Sequence, residues 1–199
     1  MTKKALIVFA RNPELGKCKT RLARVIGDVN ALEVYKYLIN HTASIAQKVN
    51  CDPYVFYSEN ITKNDSWNDL HFNKKLQHGN DLGERMKNAF EALFKKGYEK
   101  VVIIGSDLLD LNETIIENAF KALDNNDIAI GPAEDGGYYL LGMKTLYPTV
   151  FNIENWGTET VYEQTLSKLI HNSVYVLEML NDIDTIEDLK PYKVFKKYF

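Results

Sequence analysis

Short apolar runs alternate with longer amphipathic stretches along almost the whole chain. The apolar runs predict strands at Ala5–Ala10, Pro53–Ser58, Lys74–Gln77, Val101–Gly105, Ile128–Gly131, Tyr138–Met143 and Val174–Leu177. The stretches between them predict helices at Asn30–Val49, Leu82–Lys96, Glu113–Leu123 and Glu159–Ile170. Within Leu82–Lys96, the residues Met86, Ala89, Phe90, Leu93 and Phe94 recur at helical spacing and build one apolar face. Val101–Ile104 has no polar position on either face, as a strand covered by helices on both sides requires. Strand–helix alternation of this kind implies parallel strands with crossover helices. The expected fold is an α/β protein, a three-layer α/β/α sandwich around a Rossmann-like, mostly parallel, mixed sheet. Ser58–Asp69 is polar and reads as a surface loop. No repeat, low-complexity tract or linker interrupts the pattern, so residues 1–199 read as one domain.

Composition narrows the function. Hydrophobic residues make up 45% of the chain and charged residues 26%, as in an ordinary globular protein. A net charge of -3 argues against a general nucleic-acid binder, which needs broad basic faces. No apolar run reaches membrane-spanning length, so no membrane partner is expected. The first residues lead into a strand without a signal-type apolar region, and Cys18 and Cys51 are too few for a disulfide framework. A cytoplasmic location is the expectation.

Against this mildly acidic background, Arg11, Lys17, Lys19 and Arg21 crowd one short segment after the first strand, with Pro13 and Gly16. Open α/β sheets bind ligands outside the carboxyl ends of their strands. Three polar clusters fall at such ends: Arg11–Arg21, Ser106-Asp107 and Glu134-Asp135-Gly136-Gly137. Gly16 would let the backbone approach a phosphate, and Lys17, Lys19 and Arg21 would add charge-assisted bonds. Gly16-Lys17-Cys18 is not a nucleotide P-loop. No glycine lies five residues earlier, and Cys18 replaces the hydroxyl that would touch magnesium. No dinucleotide-binding glycine fingerprint follows the first strand.

Asp107 closes the most apolar strand, where a carboxylate needs solvent or a partner. A divalent cation bridging it to a diphosphate would satisfy both anions; capping the next helix is the alternative, for which Asp110 and Asn112 are better placed. Asp182 and Asp184 form a second carboxylate pair, either completing a metal shell or capping the final helix. Asp135-Gly136-Gly137 permits a tight turn, and Asp135 would also orient a sugar hydroxyl or an acceptor. Gln77 to Arg85, with Asp81-Leu82-Gly83-Glu84-Arg85, places a polar turn before an amphipathic helix, from which Arg85 reaches the rim or pairs with Glu84 or Asp81. Trp156 either lines a substrate pocket or packs in the core, and Thr158 reads as a helix cap. The four histidines lack ligand spacing, and no nucleophile-elbow motif is present. Cys18 reads as a passive loop residue.

Taken together, these residues resemble the GT-A-like nucleotide-diphospho-sugar transferase superfamily. Within it, the chain is similar to a bacterial group of small glycosyltransferase-like proteins, the selenodomain- or radical-SAM-associated transferase 1 group. That group is related to 2-phospholactate and molybdenum-cofactor guanylyltransferases. The resemblance is carried by Phe9–Leu22, Asp81–Met86, Ile104–Asp107, Gly131–Gly142, Trp156–Thr158 and Asp182–Thr185, in the family's order. It implies a transferase using a nucleotide-activated donor, in the first place a nucleotide sugar, with an unidentified acceptor. Nucleotidyl transfer to a phosphorylated acceptor is the alternative, and a non-catalytic nucleotide-binding module is a third. It also implies Mg2+ or Mn2+ on Asp107 and Asp184. Donor phosphates would meet Arg11, Gly16, Lys17, Lys19, Thr20 and Arg21, with Asp81 and Arg85 on the donor side. Asp135, Gly136, Gly137 and Tyr138 would line the donor–acceptor junction, and Trp156 and Thr158 the acceptor side. Asp107, Asp135 and Lys19 are the candidate catalytic residues. Two departures stand out: Leu109 where the family usually has proline, and Gly105 where an Asp-x-Asp motif would place its first aspartate.

Overall fold

The computed structural model describes residues 2–199. A seven-stranded sheet runs in the order β3-β2-β1-β4-β6-β5-β7. Its strands are β1 Lys4–Ala10, β2 Asp52–Tyr57, β3 Asn73–Leu76, β4 Lys100–Ile104, β5 Ile128–Pro132, β6 Tyr138–Met143 and β7 Val174–Val176. The helices are α1 Thr20–Ile26, α2 Asp28–Ala46, α3 Leu82–Phe94, α4 Glu113–Ala122, α5 Val161–Ser167 and α6 Ile186–Leu189. β1 pairs in parallel with β2 and β4, whereas β6 runs antiparallel to both β4 and β5. The β5–β6 connection, Ala133–Gly137, is too short for a crossover, so these two strands must form a hairpin.

Alternation along β1 assigns the two layers of core. Leu6, Val8 and Ala10 face one way, against Tyr35 and Ile39 of α2 and Ile115 and Phe120 of α4. Ala5 and Ile7 face the other way, against Met86, Phe90 and Leu93 of α3 and Leu169 after α5. A third cluster joins Leu22 of α1 and Val34 and Leu38 of α2 to Ile183, Leu189 and Phe195. This last cluster seats the C-terminal segment, and with it Asp182 and Asp184, beside the first loop.

The expected strands are present with ends shifted by a residue or two, as is usual for element boundaries. One helix was not expected: α1, which arises inside the basic segment. Only Leu22 of its seven residues is buried, so it carries no readable apolar stripe. α5 starts at Val161 instead of Glu159. Thr158 does not cap it; its hydroxyl donates to the Asn155 carbonyl at 2.9 Å and Thr160 holds the N-cap position. α4 is capped by Asn112, whose side-chain oxygen accepts from the Ile115 N–H at 3.1 Å. The structure thus leaves Asp107 free of capping. α6 starts with a Thr185–Asp188 capping box, so neither Asp182 nor Asp184 supplies its side-chain cap. Among the described residues, no helix is long and apolar enough to cross a membrane.

Phe90 has no exposed surface and contacts both Phe94 and Phe151. Phe90→Ala is expected to cost about 3–5 kcal/mol of stability. Urea unfolding measures it, and a loss below about 1 kcal/mol would contradict this packing.

Candidate active site

From β1 the chain passes through α1 and α2 to β2 on one side, and β4 pairs with β1 on the other. The resulting crevice lies outside the carboxyl ends of β1 and β4, where open α/β sheets bind ligands. A cleft of about 730 Å³ occupies it. Arg11, Lys19, Thr20, Arg21, Asp81, Arg85, Asp107 and Asp184 line this cleft, with Ser58, Gln77 and Ser106. A second chamber of about 280 Å³ is lined by Asp135, Gly137, Tyr138, Trp156, Thr158, Val161 and Asp182. Leu82, Gly105 and Asp107 border both spaces, so Asp107 stands at the seam.

The cations of the basic segment diverge in role. Lys19 is a non-glycine residue in the left-handed region, at φ 48°. Its side chain is only 7% exposed, and its Nζ lies 3.0 Å from Asp107 Oδ2 and 3.8 Å from Asp184 Oδ1. Burial alone would lower the Lys19 pKa. The charge and hydrogen bond of Asp107, with Asp184 and Asp182 behind, outweigh that and hold it above the usual lysine value. Arg21 donates to Asp184 Oδ2 at 3.0 Å. Lys17 instead pairs with Glu14 at 2.6 Å, and its backbone N–H is already donated to the Glu14 carbonyl. Neither Gly16 nor Lys17 lines the cleft, because the turn that contains them folds onto itself.

Arg11 and Arg85 line the cleft without forming an ion pair among the described residues. Arg11 Nη1 donates to the Lys17 carbonyl at 3.3 Å, and Arg85 Nε donates to the Gly79 carbonyl at 3.1 Å. Arg85 therefore pairs with neither Glu84 nor Asp81. Asp81 is the N-cap of α3, accepting from the Glu84 N–H at 2.8 Å.

Two residues not singled out in the sequence hold the loops. Tyr35 Oη accepts from the Arg11 N–H at 2.9 Å, donates to the Arg11 carbonyl at 3.0 Å and lies 3.3 Å from Ser106 Oγ. Burial, above all, raises its phenol pKa. Asn12, 5% exposed, donates to the Asn60 carbonyl at 2.8 Å and accepts from the Glu59 N–H at 3.0 Å. It fastens the first loop to the polar loop after β2. An isolated asparagine and a tyrosine on a helical face carry no sequence signal for this; only the fold brings their partners near. Cys18 is buried with Sγ 3.3 Å from the Asn12 carbonyl, and burial pushes its thiol up despite the nearby cations.

Around the chamber, the Asp107 carbonyl accepts from the Ile183 N–H at 3.0 Å, and the Glu134 N–H donates to the Leu180 carbonyl at 3.0 Å. These bonds bring Asp182 beside Asp107 and Asp135. Burial, then the charge of Asp107 and of Asp135, pushes the Asp182 carboxyl up to about 6, against a lowering by Lys19. Asp135 Oδ1 accepts from the Gly137 N–H at 2.9 Å, leaving its second oxygen for a ligand. Tyr138 and Trp156 meet edge to face with ring centroids 6.4 Å apart. The indole packs on Gly83, where an added Cβ would lie 2.7 Å from it, and the buried indole Nε1 has no hydrogen-bond partner.

The donor set bears on a metal. Asp107 and Asp184 offer hard carboxylate oxygens, suited to Mg2+ or Mn2+, and both already converge on one cation, the Lys19 ammonium. Among the described residues, no group of three or more His, Cys, Asp or Glu side chains is placed to hold a metal. Two carboxylates do not complete a shell, so an ion held by this pair would need its remaining ligands from phosphate oxygens or water.

This sheet with its seam-bridging cleft is the fold of nucleotide-diphospho-sugar transferases. A solved structure from Desulfovibrio desulfuricans G20, described as a candidate nucleotide-diphospho-sugar transferase, is 34% identical with a TM-score of 0.91, covering 98% of this chain and 89% of that one. 4-Diphosphocytidyl-2C-methyl-D-erythritol synthase from Anaerococcus prevotii shares the fold at 12% identity and TM-score 0.63, covering 98% and 96%. CMP:2-keto-3-deoxy-manno-octonic acid synthetase, solved with CTP, does so at 10% identity and TM-score 0.61, covering 98% and 99%. A sequence search of curated proteins returned no match. The chain belongs to the DUF2064 family, described as uncharacterized protein conserved in bacteria, whose model matches residues 41–158.

Gly136 sits at φ +85°, and an added Cβ would lie 2.0 Å from the Glu159 carbonyl oxygen. Gly136→Ala is therefore expected to force the hairpin turn away from the Trp156 loop and cost about 1–3 kcal/mol. Thermal denaturation reads the loss; an unchanged midpoint would show that the two loops are not in contact.

Proposed function

We propose that the protein is a transferase acting on a nucleotide-activated donor, a nucleotide sugar in the leading reading. One observation carries this: Asp107 stands at the seam between a cation-lined cleft and a smaller aromatic chamber. The donor diphosphate lies in the larger space against Arg11, Lys19, Arg21 and Arg85, with Thr20 and Asp81 at its border. The sugar reaches the seam, and the acceptor enters past Trp156 and Thr158. An acceptor hydroxyl forms a bond to the anomeric carbon as the bond from that carbon to the diphosphate oxygen breaks. The electron pair leaves on the nucleoside diphosphate, and the acceptor proton passes to the Asp135 carboxylate. The fixed cations stabilise charge that grows on the departing diphosphate, where preorganised groups act most strongly. Mg2+ or Mn2+, held by Asp107 and Asp184 together with phosphate oxygens, would supply further neutralisation of that leaving group. The two reduced cysteines suit a cytoplasmic site of action.

A second reading, nucleotidyl transfer from a nucleoside triphosphate, is favoured by the cytidylyltransferases that share the fold. The released product separates them: nucleoside diphosphate in the first, pyrophosphate in the second. A thermal-shift screen of nucleotides and nucleotide sugars, with and without Mn2+, identifies the donor.

Asp107→Asn is expected to reduce turnover by roughly 100-fold or more while the variant stays folded. Normal turnover in that variant would refute the assignment. Arg85→Ala is expected to weaken donor binding about tenfold by isothermal titration, since it removes a charge-assisted contact to phosphate or base.

A further inference from the structure

The two spaces that meet at Asp107 differ in charge. The larger cleft holds Arg11 and Arg85, whose guanidinium groups form no ion pair among the described residues. No Lys, Arg or His lines the smaller chamber. Its charged lining is Asp107, Asp135 and Asp182. Lys19 compensates Asp107, whereas Asp135 and Asp182 form no ion pair among the described residues. Two of the segments that wall the chamber, 132–139 and 152–161, add Glu134, Glu154 and Glu159 and contain no basic residue; the α3 wall carries Arg85, which lines the larger cleft instead. The uncharged wall is aliphatic and aromatic, with Leu82, Met86 and Leu108 beside Tyr138 and Trp156, which are set edge to face.

We infer that the chamber admits an acceptor with no negative charge at its reacting end, a neutral polyol or an amine, and rejects phosphorylated acceptors. The inference rests on the transferase reading and narrows its acceptor. A phosphate entering here is repelled by both unpaired carboxylates and finds no basic side chain in the lining to receive it. A hydroxyl or ammonium group finds acceptor oxygens, and the aromatic wall suits the apolar face of a sugar ring or a cation. The reaction balances as described above: a hydroxyl or amine forms the new bond and loses its proton to a carboxylate, a role that a phosphate acceptor does not require.

The charge of each space can be read without knowing any substrate. Thr158 and Thr20 are both exposed, one lining each space, so Thr158→Cys and Thr20→Cys place single thiols there. The native thiols give a low background: Cys18 is buried, and burial pushes the Cys51 thiol up to about 12. Each variant is treated with a trimethylammonium-bearing methanethiosulfonate and with its sulfonate counterpart. The cationic-to-anionic rate ratio is expected to be about tenfold higher at position 158 than at position 20 at low ionic strength, and to shrink with added salt. Adding Asp135→Asn to Thr158→Cys should lower the ratio. Equal ratios, or the reverse order, overturn the inference. In a second arm, the donor found by thermal shift is offered glycerol or glycerol 3-phosphate, and nucleoside diphosphate release is followed. Faster reaction with the phosphorylated member also overturns the inference. If no nucleotide sugar stabilises the protein, the donor reading fails, and the thiol ratios still report the chamber.

Discussion

One ammonium group holds the working end of this molecule together. Lys19 leaves the first loop in a left-handed backbone conformation, at a cost of about 1–2 kcal/mol, and buries its side chain between Asp107 and Asp184. Three stretches far apart in sequence thus share one charge: the loop after β1, the end of β4 and the segment before α6. Such a cluster adds little net stability over a well-packed apolar replacement, and because two carboxylates share the ammonium, losing one still leaves the other as its partner. The arrangement fixes positions more than it stabilises the fold. It also sets one positive charge between two carboxylates that would otherwise face each other unpaired.

The chamber beside this pair is shaped by missing side chains. At Gly83 the Trp156 indole occupies the place of a Cβ, and at Gly136 the Glu159 backbone does. These contacts draw the start of α3, the β5–β6 turn and the loop before α5 around a small space. A residue with any side chain at either glycine separates those walls. The glycines of Asp135-Gly136-Gly137 therefore do more than permit a turn: Gly136 needs both its positive φ and its bareness.

Much of this was legible in the sequence because it follows from periodicity and topology. β4 is apolar on both faces and is central in the sheet; the basic segment, Ser106-Asp107 and the Asp135 turn do fall at one rim. The direction of each cation was not legible. Lys17 and Lys19 are equivalent in composition, yet one pairs with Glu14 on the surface and the other with Asp107 inside, since the backbone at Lys19 reverses its turn. α1 escaped because Arg21 and Arg24 interrupt its pattern and only Leu22 is buried. Asn12 and Tyr35 escaped because their hydrogen-bond partners come from remote loops.

A fold shared with cytidylyltransferases does not choose between glycosyl and nucleotidyl transfer. Both chemistries need the same donor space: cations for a run of phosphates at the carboxyl ends of β1 and β4. They differ in what approaches from the other side. A phosphate nucleophile arrives already ionised and needs cations to hold it; a hydroxyl or amine arrives protonated and needs somewhere for that proton to go. The chamber past Asp107 has no basic side chain in its lining, and Asp135, with only Oδ1 engaged by the Gly137 N–H, is the carboxylate that the proposed transfer would use. On the proposed function, the charge of the smaller space, more than the architecture of the larger one, is where the two reactions would part.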